Sequence, residues 1–388
     1  MIEGQDSSAS RRVRLGMVGG GQGAFIGAVH RIAARLDDQY EFVAGALSSQ
    51  PERAMASAAE LGLDSDRSYA DYQSMAQAES NRADGIEAVA IVTPNHVHYP
   101  AAKAFLEAGI HVICDKPMTV TSQEGEELVA LAQQKGLILA VTYNYTGYPM
   151  VRQARAMVAN GELGRIRLVQ VEYAQDWLSE DLESSGQKQA TWRTDPAQSG
   201  AGGAIGDIGT HAYNMACFVS GLEAESLCAD LSSFVEGRRL DDNAQVMLRY
   251  PEGVRGMLWA SQVAPGNENN LMLRIYGEKG GLKWRQEDPN YLEFAPLGEP
   301  PRRITRGGPG SNDNAGRVTR IPSGHPEGYL EGFTTIYTEV AEAIRAARNG
   351  SAADPAVLFP TGADGVEGVR FVEAVVQSSR EDAAWVKL

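Results

Sequence analysis

The sequence predicts an α/β chain in two parts. A doubly wound parallel sheet of the Rossmann type spans residues 13–147, and a C-terminal α/β domain over 148–388 is built on a large, mostly antiparallel open sheet. Three observations predict this. Short apolar runs alternate with helical patterns through roughly the first 145 residues, as parallel βαβ units require. A glycine-dense turn, Gly19-Gly20-Gly21-Gln22-Gly23-Ala24, stands between the first strand and the first helix. After Pro149 the rhythm changes to apolar strands joined by short turns, which implies antiparallel pairing.

Each element has a local reason. VRLGMV (13–18) is a buried strand, and AVHRIAARL beyond the glycines carries apolar residues at helical spacing. EFVAGAL (41–47) is the second strand. Pro51 suits the first position of a helix through PERAMASAAEL, which Gly62 closes. IEAVAIV (86–92) is the third strand; TPNHVHYP then leads into the helix AAKAFLEAG, ended by Gly109, and HVIC (111–114) follows as the fourth strand. Thr121 and Glu124 make a capping box before EELVALAQQKG, and LILAV (137–141) returns to the sheet. In the second part VRQARAMVANGELG is a helix and RIRLVQVEYA (165–174) a strand. The turn PEG joins AQVMLRY to VRGMLWASQV, and EKG joins LMLRIYG to GLKW. Residues 301–320 read as a long polar surface loop, and the closing helices FTTIYTEVAEAIRAA and VEGVRFVEAVVQSS pack back on the body. A sheet covered on one face leaves the other free, so self-association as a homodimer or homotetramer is expected.

Charge and composition narrow the partners. Net charge is −15, from 35 basic and 50 acidic side chains, a field that repels phosphate backbones and anionic membranes. Neither nucleic acid nor a membrane is an expected partner, and no apolar run reaches the ~20 residues that span a bilayer. Residues 1–12 read as a flexible polar tail; Arg11-Arg12 is followed by a strand and a glycine turn rather than by an apolar leader. Cys114, Cys217 and Cys228 form no CxxC pair, which fits a reducing, cytoplasmic compartment. His96 and His98 adjoin a Thr-Pro-Asn turn with no third ligand near in sequence, so no metal is expected. No GxSxG elbow appears either.

The glycine turn is where the chemistry starts. Gly19, Gly21, Gln22, Gly23, Ala24 and Phe25 place a side-chain-poor backbone beside a helix N-terminus, which suits a dinucleotide pyrophosphate. At the end of the second strand, where an acidic residue would bind the adenosine ribose, the chain has Ser48-Ser49-Gln50-Pro51-Glu52-Arg53. Ser48 and Arg53 can take a 2′-phosphate, which leans toward NADP; Arg53 as a solvated helix residue leaves NAD open. Lys116, at the carboxyl end of the fourth strand, sits on the rim where open α/β sheets bind ligands, and it can polarise a hydroxyl or carbonyl oxygen. Asp207 and His211 are four residues apart, so on an α-helix the carboxylate would neighbour the imidazole, raise its basicity and orient it.

Taken together these stretches resemble the Gfo/Idh/MocA oxidoreductases. The glycine turn, Thr93-Pro94-Asn95 with His98, Asp115-Lys116-Pro117, Trp192-Arg193 and Asp207-Ile208-Gly209-Thr210-His211 fall in the family's order. The resemblance implies NAD(P)-linked oxidation of a secondary alcohol on a sugar or cyclitol, or the reverse reduction. It implies that Lys116 and His211 act on the reacting oxygen while Asp207 steadies His211. Thr93, Pro94, Asn95, His98 and the Asp115–Lys116 neighbourhood would hold the cofactor, and Tyr145, Trp192, Arg193, Asp207 and His211 the substrate. Asp115 stands where the family has Glu, and Thr146-Gly147-Tyr148 replaces its usual basic residue. Two alternatives share the fold: NAD-assisted glycoside cleavage and a non-catalytic, sugar-sensing nucleotide-binding regulator. The joint presence of Lys116, Asp207 and His211 favours an enzyme.

Overall fold

The computed structural model describes residues 11–388, so the predicted tail lies mostly outside the described residues. Arg11 and Arg12 are ion-paired with Glu87 and Asp38. The first part alternates β1 (Val13–Gly19), α1 (Phe25–Leu36), β2 (Tyr40–Ala46), α2 (Pro51–Glu60), α3 (Tyr72–Ser80), β3 (Ala88–Val92), α4 (His98–Glu107), β4 (His111–Cys114), α5 (Ser122–Lys135) and β5 (Leu139–Val141). Its strands pair in parallel in the order β2-β1-β3-β4-β5. Every residue of β3 is buried, as a strand covered on both faces must be. The Thr121–Glu124 capping box forms, and Pro51 occupies the first turn of α2.

The second part contains α6 (Pro149–Ala159), β6 (Ile166–Ala174), α7 (Lys188–Arg193), α8 (Pro196–Ser199) and α9 (Thr210–Ser220). There follow β7 (Ser226–Ser232), β8 (Asn243–Arg249), β9 (Arg255–Ser261), β10 (Asn270–Gly277), β11 (Gly280–Arg285), β12 (Tyr291–Pro296), β13 (Arg302–Thr305), α10 (Asp313–Arg317), α11 (Tyr329–Arg348), α12 (Gly362–Arg380) and β14 (Val386–Lys387). Among the described residues these strands form one nine-stranded sheet, ordered β13-β12-β11-β10-β6-β9-β8-β7-β14, and only β6–β9 pair in parallel. Helices α6, α9 and α12 cover one face through Met150, Met157, Tyr213, Phe371 and Val375. The other face leaves Leu168, Met247 and Met257 exposed.

Two expectations change. Residues 301–320 are not one loop: Arg302–Thr305 extends the sheet edge, α10 follows, and Arg306 is buried on Asn290 Oδ1 (2.8 Å), Glu327 Oε1 (2.9 Å) and the Ile321 carbonyl (2.7 Å). Polar composition hid this, because a fully satisfied arginine inside reads in sequence like a solvated one. Nor does packing follow the division at residue 147. Helix α11 lies far along the chain, yet its Phe333, Ile336, Tyr337, Val340 and Ile344 share a core with Val13, Leu15 and Met17 of β1.

A buried ion pair holds this helix to the second part. Arg152 of α6 meets both carboxylate oxygens of Glu339 of α11 (3.1 and 2.8 Å), and both side chains are almost fully shielded. Removing one partner of such a pair leaves an uncompensated buried charge. Glu339→Gln should therefore lower unfolding free energy by about 3–5 kcal/mol in a urea titration.

Candidate active site

A cleft of about 1240 Å³ opens at the carboxyl ends of the parallel strands and is closed on its far side by the second sheet. Its floor begins at the glycine turn. Gly19 (φ +78°) and Gly20 (φ +72°) adopt left-handed backbone that bends the chain sharply after β1. Gly27, not Ala24, makes the close helix–strand approach: a Cβ there would lie 2.4 Å from Gly20 Cα. The turn spends three of its own amides. Gly21 N–H donates to the Leu47 carbonyl (3.2 Å), Gln22 N–H to Ser57 Oγ (3.1 Å) and Ala24 N–H to the Gly21 carbonyl (3.1 Å). Gly23 does not line the cleft, whereas Phe25 and Ile26 do, at the start of α1, whose N-terminus has no side-chain cap. The first turn of α1 is thus open to an anion, while the Gly21, Gln22 and Ala24 amides are already engaged.

Ser48, Ser49, Gln50 and Arg53 line the end of the cleft beyond β2, joined by Asp71 and Tyr72, which sequence reasoning passed over. Thr93, Pro94 and Asn95 line the middle, and the Asn95 amide also donates to the Ser199 carbonyl (2.9 Å), tying this loop to α8. His98 departs from expectation: it is buried behind the cleft, its Nδ1 2.7 Å from the Pro117 carbonyl and its Nε2 2.9 Å from that of Thr93. It braces the two loops from beneath. Asp115 Oδ1 accepts from the Lys116 amide (2.9 Å) and from Thr142 Oγ1 (2.8 Å), which turns the chain as it leaves β4. A cis peptide joins Lys116 to Pro117.

Lys116 Nζ reaches across to the second part, donating to Asp207 Oδ1 (2.8 Å) and to the Asp207 carbonyl. The other carboxylate oxygen of Asp207 accepts from Gln262 Nε2 (2.9 Å) and Arg193 Nε (3.3 Å). Burial alone would push this carboxyl up, but Lys116 and Arg193 hold it well below the usual carboxylate range.

The expected orienting of His211 by Asp207 is not seen: no hydrogen bond joins them. Asp207 lies in a π-helical turn, Ile205–Gly209, and His211 in the α-helix after it. The wider turn breaks the geometry that places residues i and i+4 on one face. His211 instead packs edge-on against Tyr145 (4.9 Å between centroids) and Tyr143 (5.6 Å), and its Nδ1 is buried without a partner among the described residues. Burial, then the Lys116 charge, push its pKa well below the usual imidazole value, against the Asp207 contribution; the expected rise in basicity does not occur.

Beyond His211 the wall is neutral and polar. Tyr145 Oη meets Tyr173 Oη (2.5 Å), Tyr173 donates to Asn269 Oδ1 (2.7 Å), Gln175 donates to the same oxygen (2.7 Å), and Asn269 Nδ2 donates to Gln286 Oε1 (3.0 Å). Trp192 lies under the Arg193 guanidinium (4.2 Å) at the cleft mouth. Tyr173, Gln175, Asn269 and Gln286 were missed because single amides and phenols near strand ends carry no motif. The residues present fit a dinucleotide: an uncapped helix start, left-handed glycines, and the buried, unpartnered Thr93 Oγ1 at the middle of the cleft. Among the described residues no cluster could hold a metal ion, and no helix is long and apolar enough to cross a membrane.

Residues 13–143 match the model described as the oxidoreductase family with an NAD-binding Rossmann fold, and residues 151–283 match the GFO/IDH/MocA C-terminal domain. The uncharacterized oxidoreductase YfiI of Bacillus subtilis is 38% identical over 97% of both chains. The crystal structure of an oxidoreductase from Sinorhizobium meliloti is 59% identical, with a TM-score of 0.89, covering 97% of this chain and 100% of that one. An inositol dehydrogenase homologue from Azotobacter vinelandii in complex with NAD+ is 38% identical over the whole of both chains (TM-score 0.94). The same organism's homologue in complex with NADH and myo-inositol is 36% identical over 98% and 99% (TM-score 0.91). An NAD-binding domain model, a C-terminal domain model and full-length likeness together place the chain, an NAD(P)-dependent oxidoreductase, in the GFO/IDH/MocA family.

Proposed function

We propose that the enzyme oxidises a secondary alcohol of an uncharged sugar, sugar derivative or cyclitol, or reduces the corresponding ketone. The observation that carries this reading is the meeting of Lys116 and His211 on one cleft beside a wall of neutral hydroxyls and amides. Such a wall satisfies hydroxyl groups, and the Lys116 and Arg193 charges beside it are paired with Asp207. The myo-inositol complex of the Azotobacter homologue supports the same substrate class. When bound, the nicotinamide supplies the hydride acceptor or donor. Phe25, Ile26, Thr93, Pro94 and Asn95 hold the cofactor, while Ser48 and Arg53 suit the 2′-phosphate of NADP. Lys116 gives two donations to Asp207 and, as an ammonium with three protons, keeps one for the substrate oxygen. In oxidation, His211, kept neutral by its surroundings, takes the hydroxyl proton as the hydride leaves the adjacent carbon, and Lys116 stabilises charge growing on oxygen.

The exposed Leu168, Met247 and Met257 support a homodimer or homotetramer through the C-terminal sheet, and the three free cysteines support a reducing cytoplasm. The test is a panel of sugars, cyclitols (myo-inositol among them) and glycosides, each with NAD and NADP, followed by the near-ultraviolet absorbance of reduced nicotinamide. Reduction with a polyol, and with NADP at least as well as NAD, is expected. Release of free sugar without net reduction would favour glycoside cleavage, and tight cofactor binding with no turnover would favour a sensor.

A further inference from the structure

Asp207 is held by a π-helical turn whose entrance is tied to a distant segment of the chain. The π-helical turn Ile205–Gly209 has no side-chain cap at its start; Ala204, Ile205 and Ile208 are anchored in the hydrophobic core, while Gly202 and Gly203, which lead into it, bring no side chains of their own. Three successive amides at this entrance converge on one residue of the loop before β8. The Gly203 N–H donates to Asp241 Oδ1 (2.6 Å), the Ala204 N–H to the Asp241 carbonyl (2.8 Å) and the Ile205 N–H to Asp241 Oδ2 (2.8 Å). The fit is close: a Cβ on Gly203 would lie 2.0 Å from the Asp241 carbonyl oxygen, so only glycine lets the two backbones meet. On the other side, the Asp207 N–H donates to the Gly203 carbonyl (2.8 Å), so the clamped residue also carries the first bond of the catalytic turn.

We propose that Asp241 is a positioning residue: its carboxylate clamps the entrance of the π-helical turn and thereby sets where Asp207 presents its carbonyl and carboxylate to Lys116. This rests on the proposed role of Lys116. Both oxygens of Asp241 accept from N–H groups, so the clamp needs the ionised form. No cation pairs with Asp241 among the described residues; its neighbour Asp242 is taken up by Arg238, which also pairs with Glu183, and Asp207 lies across the turn. Burial pushes the Asp241 carboxyl up to about 6, against the pull of the Ile205 and Gly203 amides. Protonation below that pH removes one acceptor and opens the clamp.

The test is Asp241→Asn, which keeps shape but places an NH₂ against one of two backbone donors. Hydrogen exchange should speed up at residues 203–211 and stay unchanged in the parallel-sheet part, and NADH affinity by fluorescence should be unaltered. With a polyol turned over in the panel above, kcat should fall on the order of 10²-fold, the scale of a small misplacement of catalytic groups. The wild type should show an acid limb near pH 6, and the variant should lose it. Wild-type protection at 203–211, with an acid limb that persists in the variant, overturns the proposal. If the variant fails to fold, the wild type decides: moving it from pH 7 to 5 should selectively lose protection at 203–211 after correction for intrinsic exchange, and equal protection at both values overturns the clamp. The exchange readout needs no substrate, so failure of the polyol reading is seen separately, as an inactive panel.

Discussion

Replacing Lys116 with methionine should lower kcat on the order of 10²–10⁴-fold with NADH affinity nearly unchanged. The chain of causes is short. Lys116 enters the cleft at the end of β4, away from the α1 turn proposed to take the pyrophosphate, so cofactor binding should lose little. Methionine keeps the length of the stem and removes the charge proposed to face the substrate oxygen. Asp207 retains Arg193 and Gln262, so the fold around it keeps partners for one carboxylate oxygen. Steady-state kinetics on a confirmed substrate, beside a fluorescence titration with NADH, separate the two effects. Wild-type kcat in this variant would remove Lys116 from the reaction.

His211→Ala should cost a comparable factor in kcat, on the order of 10²–10⁴, and should change the pH dependence of stability in a defined direction. Folding lowers the pKa of His211, chiefly by burying it, so the folded state favours the neutral ring. Its contribution to stability is complete above the ordinary imidazole pKa of about 6.5 and is lost as pH falls below that value, because the unfolded chain then binds the proton more readily. The variant should lose thermal stability less steeply than the wild type as pH falls below 6.5 or so. A cavity left by the ring will lower stability at every pH, and the slope, rather than the level, carries the result. An unchanged slope together with unchanged kcat would show that the imidazole neither titrates in the fold nor moves the substrate proton.

The candidate site was only partly legible in the sequence. Lys116, Asp207, His211, Tyr145, Trp192 and Arg193 come to one cleft, as do Gly19, Gly21, Gln22, Ala24, Phe25, Ser48, Arg53 and Thr93–Asn95. His98 was chosen for its place beside the Thr-Pro-Asn turn, but the first turn of α4 buries its ring under the loops. Gly23 was chosen as part of a run, yet lies outside the cleft, while Gly27 makes the contact a glycine must make. Asn269 and Gln286 could not be chosen, since what makes them important is the strand edge opposite them.

The sequence by itself determined the parallel and antiparallel halves, the capped helix at Thr121, the glycine turn and the lysine on the strand rim. All of these follow from local periodicity, capping and turn chemistry, which act over a few residues. Only the tertiary structure decided that Asp207 pairs with Lys116 rather than His211, that α11 completes the core of β1, and that one cleft wall is a chain of neutral donors and acceptors. Those outcomes depend on which groups are dehydrated together. Lys116 and Asp207 are separated by 91 positions in the chain, and no local pattern specifies an interaction whose strength comes from shared burial.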